Sequence, residues 1–360
     1  MKPRLKALVH IVRDGDLKCH LIASEREIFR CQGKSVPILV DKVIPLLDGT
    51  RTVEQLCEAL AGTLNEKGVR DLLELLSRYH VLVDAVGLTD IVDSDSGCFR
   101  GIHNLLSRYS DRPAPMLQAL RNARVAVLGT GPLVQDTVQA LAECAIGHID
   151  VLWAGRHLPL ETIERVVHRS FDVSEMTKVL PGATLTLALQ DGEFGLVRPL
   201  RELNRLSLRE LIPWLHVRLS LDAEAWIGPI YVKGGPCFEC THWRSRSNLR
   251  SAKEVEMCEA LVADGIVSEK RMDFRPFQRH LASAVAFDVV QYIAGLDPNG
   301  LIERCRVVDL ITHEASTHVI LRHPYCKACG MLEFTRLQLW DMDVLRIERM
   351  LLPSRTPRDT

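Results

Sequence analysis

Two Cys-x-x-Cys pairs, Cys237–Cys240 in GGPCFECTHW and Cys326–Cys329 in HPYCKACG, are the residues best equipped for chemistry. A two-residue spacer turns both sulfurs of a knuckle toward one ion, and a second knuckle closes a tetrahedral shell at about 2.3 Å. Four filled positions leave none for water, so the expected ion is a structural zinc that holds the fold and performs no reaction. Turn residues flank both pairs: Gly234, Gly235 and Pro236 at the first, Pro324 and Gly330 at the second. Buried free cysteines and a redox pair are the alternatives. The redox reading is set aside because neither pair is expected to open a helix after a strand, as thioredoxin-like motifs do. His216, His242 and His280 lack matching partners and are read as structural or surface groups.

The elements that must carry the knuckles come next. Between them, Pro276–Gly295 reads as a helix. Phe274, Phe277, Phe287 and Tyr292 are spaced like a core face and expected to pack on the zinc lobe. The Arg-rich stretch Trp243–Arg250 is expected to be a mobile loop. Upstream, RVAVLGTGPLVQDTVQALAECAIGHIDVLWAG reads as a strand Arg124–Leu128, a Gly129-Thr130-Gly131 turn, a helix from about Leu133 to Cys144, and a strand Ile149–Trp153. That is a βαβ unit of Rossmann type. Nucleotide binding through G-x-G-x-x-G needs a third glycine for close helix–strand packing, and the position holds Val134. An acidic ribose ligand should end the second strand, but the chain continues Leu152-Trp153-Ala154-Gly155. Gly129 and Gly131 are therefore read as a degraded nucleotide loop, and ATP use is not expected.

Residues 1–86 form a separate unit on the same reading. Three β-prone runs, Ala7–Val12, Lys18–Ala23 and Glu27–Gln32, precede a helical pattern over Val36–Leu47 that Gly49 ends. Thr52–Leu60 is a second helix, with Thr52 as N-cap and Gln55 three residues on, and Asn65–Tyr79 is a third. A strand at Val81–Val83 closes a winged-helix-like module of three strands and three helices. Its thirteen Lys/Arg against twelve Asp/Glu give +1, too little uncompensated charge for a DNA-recognition helix. Residues 87–122, with Ser94-Asp95-Ser96-Gly97 and Pro113-Ala114-Pro115, read as a loose connector. The tail 336–360, with Trp340, Leu345, Met350 and Leu351, reads as a partner-docking segment that is disordered from Pro353.

Composition bounds the rest. The 360 residues suffice for two domains, and a formal charge of −1 argues against a polyanion-binding protein. Eleven cysteines, seven of them scattered outside the knuckles, suit a reducing compartment better than a disulfide framework. No run approaches the roughly 18 apolar residues of a membrane span, and MKPRLKALVHIVRDGD is not a signal peptide. The expectation is a cytoplasmic protein that binds neither membrane nor nucleic acid.

Two resemblances sharpen this. LLDGTRTVEQLCEAL followed by VRDLLELLSRYHVLVDA resembles PqqD-like precursor-peptide recognition elements. That resemblance implies a leader peptide pairing with the edge of the third strand, Glu27, Ile28, Phe29, Arg30, Cys31 and Gln32. The peptide would pack on the third helix, at Val69, Leu72, Leu73 and Leu76. Edge strands offer unpaired N–H and C=O groups, so β-augmentation is physically sound. IGPIY with Gly235, Cys237 and Cys240, the helix between the knuckles, and His323–Gly330 resemble the ThiF-like, ubiquitin-activating-enzyme superfamily over about residues 123–332. Active members adenylate a carboxylate, using an acidic ribose ligand, an N-x-x-R-Q arginine, and a lysine and aspartate. RHLPLETIERVVHRSF supplies no such arginine segment, and for the lysine and aspartate near the triphosphate and magnesium the resemblance offers Lys178 and Asp191.

Together these imply an α/β protein: a PqqD-like module (1–86), the connector, a degraded ThiF-like domain with a four-cysteine zinc site (123–335), and the tail. The combination resembles the leader-binding partner proteins of YcaO-type azoline-forming cyclodehydratases in thiazole/oxazole-modified microcin pathways. The resemblance implies a homodimer that is catalytically silent alone. It would present core Cys, Ser and Thr residues of a precursor peptide to a separate ATP-dependent subunit. The rivals are a microcin-type peptide-adenylating enzyme and a winged-helix DNA-binding regulator.

Overall fold

In the computed structural model, residues 1–87, 97–153, 166–170, 173–297 and 300–330 are described. Ser94–Ser96, Ala154 and Gly155, most of RHLPLETIERVVHRSF and the tail 336–360, for which expectations were given above, lie outside them. The chain divides into two compact units, Met1–Asp191 with Met272–Gly300, and Gly192–Arg271 with the chain from Leu301.

The first unit opens with β1 (Pro3–Leu5), β2 (His10–Arg13), β3 (Lys18–Ser24) and β4 (Glu27–Gln32). The short helix α1 (Val36–Ile38) follows, then α2 (Val53–Leu60), α3 (Glu66–Arg78) and β5 (Leu82–Asp84). Next come α4 (Gly97–Tyr109), α5 (Pro113–Asn122), β6 (Arg124–Gly129), α6 (Pro132–Glu143) and β7 (His148–Trp153). β8 (Val166–Ser170), α7 (Val173–Val179) and β9 (Leu185–Asp191) complete this run. The second unit then supplies α8 (Val197–Glu210), β10 (Trp214–Leu219), β11 (Glu224–Tyr231), α9 (Phe238–Ser247) and α10 (Ala252–Ala263). α11 (Arg275–Ile293) belongs to the first unit again, and β12 (Arg304–Asp309) and β13 (Ala315–Val319) to the second. The fold is mixed α/β.

Near the N-terminus the expected elements appear with corrections. Only the second half of the run expected at 7–12 is strand: 7–9 lie between β1, which pairs antiparallel with β5, and β2, which pairs with β3 in a separate β2-β3-β4 sheet. A turn closed by the Val9 N–H on the Lys6 carbonyl passes the chain between the two. The expected helix Val36–Leu47 is broken into α1, a π turn (Leu39–Val43) and a 3₁₀ turn (Ile44–Leu46). Pro45 has no N–H for the Asp41 carbonyl, so a continuous α-helix cannot pass it. α2 starts as the spacing predicts: the Gln55 N–H donates to Thr52 Oγ1 and the Thr52 N–H to Gln55 Oε1, a capping box. Leu21, Leu56, Leu60, Leu73, Leu76 and Leu82 share one buried cluster.

Most of the segment expected to be a loose connector is helical, in α4 and α5. Pro113 and Pro115 fall in the first turn of α5, where the missing N–H groups would have had no helical partner anyway.

Beyond them β6 pairs parallel with β7 and β9, and β7 with β8, giving the Rossmann-like order β9-β6-β7-β8. α11 packs on α6 and buries Leu281, Val285 and Val289. Phe274 and Phe287 are exposed, so the aromatic core face expected on this helix is not its packing face.

In the second unit β10 to β13 form an antiparallel meander. The buried Trp214 ring lies 4.4 Å from Tyr231 and 6.0 Å from Phe238. The stretch expected as a mobile loop is instead helical through Ser247, with Arg246 paired to Glu256 and Glu259. Among the described residues no helix is long and apolar enough to cross a membrane.

Candidate metal centre and peptide groove

Cys237 is the N-cap of α9 and Cys240 lies one turn on, so the first knuckle does open a helix after a strand, contrary to expectation. What separates it from a redox pair is the second knuckle. The turn bearing it is closed by the Gly330 N–H on the Cys326 carbonyl at 2.7 Å. A Cβ at Gly330 would stand 2.3 Å from that carbonyl, so glycine is required. The four Sγ atoms lie within 4.8 Å of one another. Cys237–Cys326 is 3.6 Å, Cys237–Cys240 3.9 Å and Cys240–Cys329 3.4 Å. A tetrahedron with 2.3 Å metal–sulfur bonds has edges of about 3.8 Å, so the cluster is compatible with a zinc ion.

The surroundings favour thiolate at Cys240. Its pKa is lowered by the Cys237 thiol and by the His323 N–H, 3.3 Å from its sulfur. The N-terminal end of α9 adds a favourable dipole. Outside the sulfurs, the Phe238 N–H donates to buried Asn204 Oδ1 at 2.9 Å, and Arg201 pairs with Glu239 at 2.9 Å, tying α9 to α8. His216 stands edge-on to Phe238, and His242 stacks on it. Burial drives their pKa values to about 3 and about 4, so both are neutral packing groups outside the sulfur cluster. His280 is exposed on α11.

In the first unit Gly131 is the N-cap of α6 at φ +84°. A Cβ on Gly129 would meet the Leu189 carbonyl at 2.4 Å and Val134 Cγ2 at 2.8 Å. Val134 is fully buried, so its side chain fills the space that a third glycine leaves open. Lys178 pairs with Glu175 at 2.7 Å, and buried Asp191 accepts a hydrogen bond from Gln278 at 2.9 Å. The acid that β7 does carry, Asp150, is buried mid-strand and takes Arg124, Arg169 and His148. Burial raises its pKa, but the two arginines outweigh that and hold it below the usual range. Asp150 is a structural ion-pair centre that sequence reasoning missed.

Among the described residues β4 is an edge strand of its sheet, with β3 on one side only. Cys19 faces Cys31 across the pair, and the Gly33 N–H bonds the Leu17 carbonyl. Antiparallel alternation then turns the N–H groups of Ile28, Arg30 and Gln32 to the open edge. Burial, and then Cys19, push the Cys31 thiol up to about 11. Of the helix residues expected to meet a peptide, Val69, Leu73 and Leu76 are buried in the core and Leu72 packs against it. They face their own module, and Leu75 and Tyr79 are exposed instead.

A groove of about 400 Å³ lies at the turn end of β4, lined by Glu27, Ile28 and Phe29 but not by Arg30, Cys31 or Gln32. Tyr79 lines it too, with its ring 4.3 Å from Phe29. Its third wall is α4, through Asn104, Ser107 and Arg108, beyond the 1–86 segment. Reading α4 as a connector hid that wall; the missed signal was the helical spacing of Phe99, Ile102 and Leu106.

No protein-family model and no curated protein matches the chain. Among solved structures, the heterocyclase TruD aligns over 91% of this chain at TM-score 0.64 and 18% identity. E. coli MccB with AMPCPP and selenomethionine MccA aligns over 92% at 0.61 and 16%, and E. coli MccB alone over 93% at 0.60 and 17%. The chain spans 43% of TruD, but 100% and 99% of the two MccB chains. At such identities the likeness is one of fold.

Proposed function

We propose that this chain is a ThiF-like protein of ribosomal-peptide modification that captures the leader of a precursor peptide and presents its core. A separate YcaO-type subunit then cyclises Cys, Ser or Thr residues. The observation that carries the reading is β4, an edge strand with an unpaired side beside an apolar groove. A peptide added there gains main-chain hydrogen bonds from the edge and selectivity from the groove. Tethering then raises the effective concentration of the core at the partner's site.

In this reading residues 1–86 are a PqqD-like module and 123–335 a ThiF-like domain acting as a homodimer. Cys237, Cys240, Cys326 and Cys329 hold a structural zinc ion. Among the described residues, the groups that could serve a nucleotide are otherwise engaged, which supports this reading: Val134 fills the loop, Lys178 pairs with Glu175, and Asp191 is engaged by Gln278. The likeness to TruD, a heterocyclase, and to MccB, a microcin C7 biosynthetic enzyme solved with N-formylated MccA, supports the peptide-modification class.

Titrating labelled precursor leader into the full chain tests this; absence of saturable binding refutes it. Full coverage of MccB, solved also with AMPCPP, favours the second reading, a peptide-adenylating enzyme. Precursor-dependent ATP–pyrophosphate exchange separates the two. A DNA-binding role is disfavoured because Arg70 and Arg78 of α3 pair with Glu66 and Glu74 on the same helix.

A further inference from the structure

The groove at the turn end of β4 has a composition that neither its strand nor its module displays as a whole. Its lining places Lys6, Arg26, Arg78 and Arg108 against one carboxylate, Glu27, whereas residues 1–86 are nearly balanced. Two of these cations are already committed. Lys6 is buried on Asp111 at 3.0 Å, and Arg108 holds Glu27 at 3.2 Å and the Ala23 carbonyl at 3.4 Å. Arg108 thereby ties α4 to the start of β4. Arg78 is well exposed and, among the described residues, pairs only with Glu74 of its own helix. Arg26, in the turn before β4, has no ion pair among the described residues. The same lining includes apolar side chains open to water: Leu8 is 47%, Ile28 41% and Tyr79 52% exposed.

Open apolar side chains bordered by Arg26, and by Arg78 whose solvent-exposed pair with Glu74 is weak and exchangeable, complement a ligand of matching pattern. We propose that this groove selects a peptide segment carrying acidic side chains next to a bulky aliphatic or aromatic one. Arg26 and Arg78 would receive the carboxylates, Leu8, Ile28 and Tyr79 the apolar anchor, and α4 would close the site through Arg108. The proposal rests on the leader-capture reading and names the class of leader it takes. It also makes α4 a specificity element outside the 1–86 module.

A displayed library of random dodecapeptides, selected on the full chain, tests it. Wild-type protein should enrich peptides with Asp or Glu within two or three residues of Leu, Ile, Phe or Trp. Arg26→Glu/Arg78→Glu should bind the winning peptides about tenfold more weakly and enrich Lys or Arg instead, since each reversed surface pair shifts by several tenths of a kcal/mol. Ile28→Ala should keep the acidic bias and lose the bulky residue. Arg26, Arg78 and Ile28 line the groove at the surface, and melting curves confirm the fold of every variant. Enriched peptides without charge bias, or an acidic bias surviving the double reversal, overturn the proposal while leaving leader capture intact. No enrichment above an Arg30→Pro chain, whose β4 edge is blocked, sinks leader capture itself.

Discussion

Replacing Cys326 by serine should empty the metal centre and open the protein locally. Around the sulfurs, among the described residues, the only apolar partner besides cysteine is Leu208. Burying one leucine contributes about 1.5–3 kcal/mol. A structural zinc contributes about 10–16 kcal/mol in zinc-finger peptides, so the ion dominates here. Those energies correspond to dissociation constants of roughly 10⁻⁷ to 10⁻¹² M, tight enough for the ion to survive purification. With three thiolates left, the turn at 323–330 and the first turn of α9 lose their clasp. The Trp214–Tyr231–Phe238 packing remains.

The expected result is therefore local. Elemental analysis should find one zinc per wild-type chain and almost none in Cys326→Ser. Hydrogen exchange at Cys237–Ser247 and His323–Gly330 should accelerate by at least about 10³-fold, some 4 kcal/mol. Cys258→Ser, at a half-buried cysteine outside the cluster, should change neither. Reduced, zinc-reconstituted wild-type protein without stoichiometric metal would falsify the reasoning, and so would a Cys326→Ser chain that keeps metal and protection.

Four further outcomes follow from the geometry. His216 is held neutral by burial, with Arg218 and His242 adding to it, so its folded pKa lies below its unfolded value. The unfolded chain then binds the extra proton, and stability falls as pH drops below about 6.5; by pH 5 the loss is about 2 kcal/mol. Urea melts at pH 7.5 and 5 should show that slope reduced in His216→Leu. Thr52→Ala removes half of the capping box on α2 and should cost about 1 kcal/mol in the same melts. Leu76→Ala should cost about 2–5 kcal/mol, against little for exposed Leu75→Ala; equal costs would mean the buried face of α3 is misassigned. Arg30→Pro deletes an edge-facing N–H without touching a β3–β4 hydrogen bond, so leader affinity should fall about tenfold or more at unchanged stability.

What the sequence discloses depends on how local each determinant is. The two knuckles need only short spacers, and the α2 capping box needs four residues, so both are legible and both form. Pro45 and Pro113 mislead in opposite ways. The first breaks an apparently continuous apolar stripe, and the second sits harmlessly in a helix's first turn. Leu73 and Leu76 look like a docking face because an apolar stripe does not reveal which partner covers it. Arg108 is 81 positions from Glu27, and only the folded chain brings them to 3.2 Å. Val134 is the instructive case. Its identity flags the missing glycine, while the clash at Gly129 supplies the physical reason that the loop is filled.

The central claim is that β4 is the docking edge for a precursor leader. Fluorescence anisotropy of a labelled leader, titrated with the full chain and with Arg30→Pro, tests it most directly. The account predicts saturable binding by the wild-type chain and a loss of about tenfold or more in the variant. Equal affinities, or no binding by either, would contradict it.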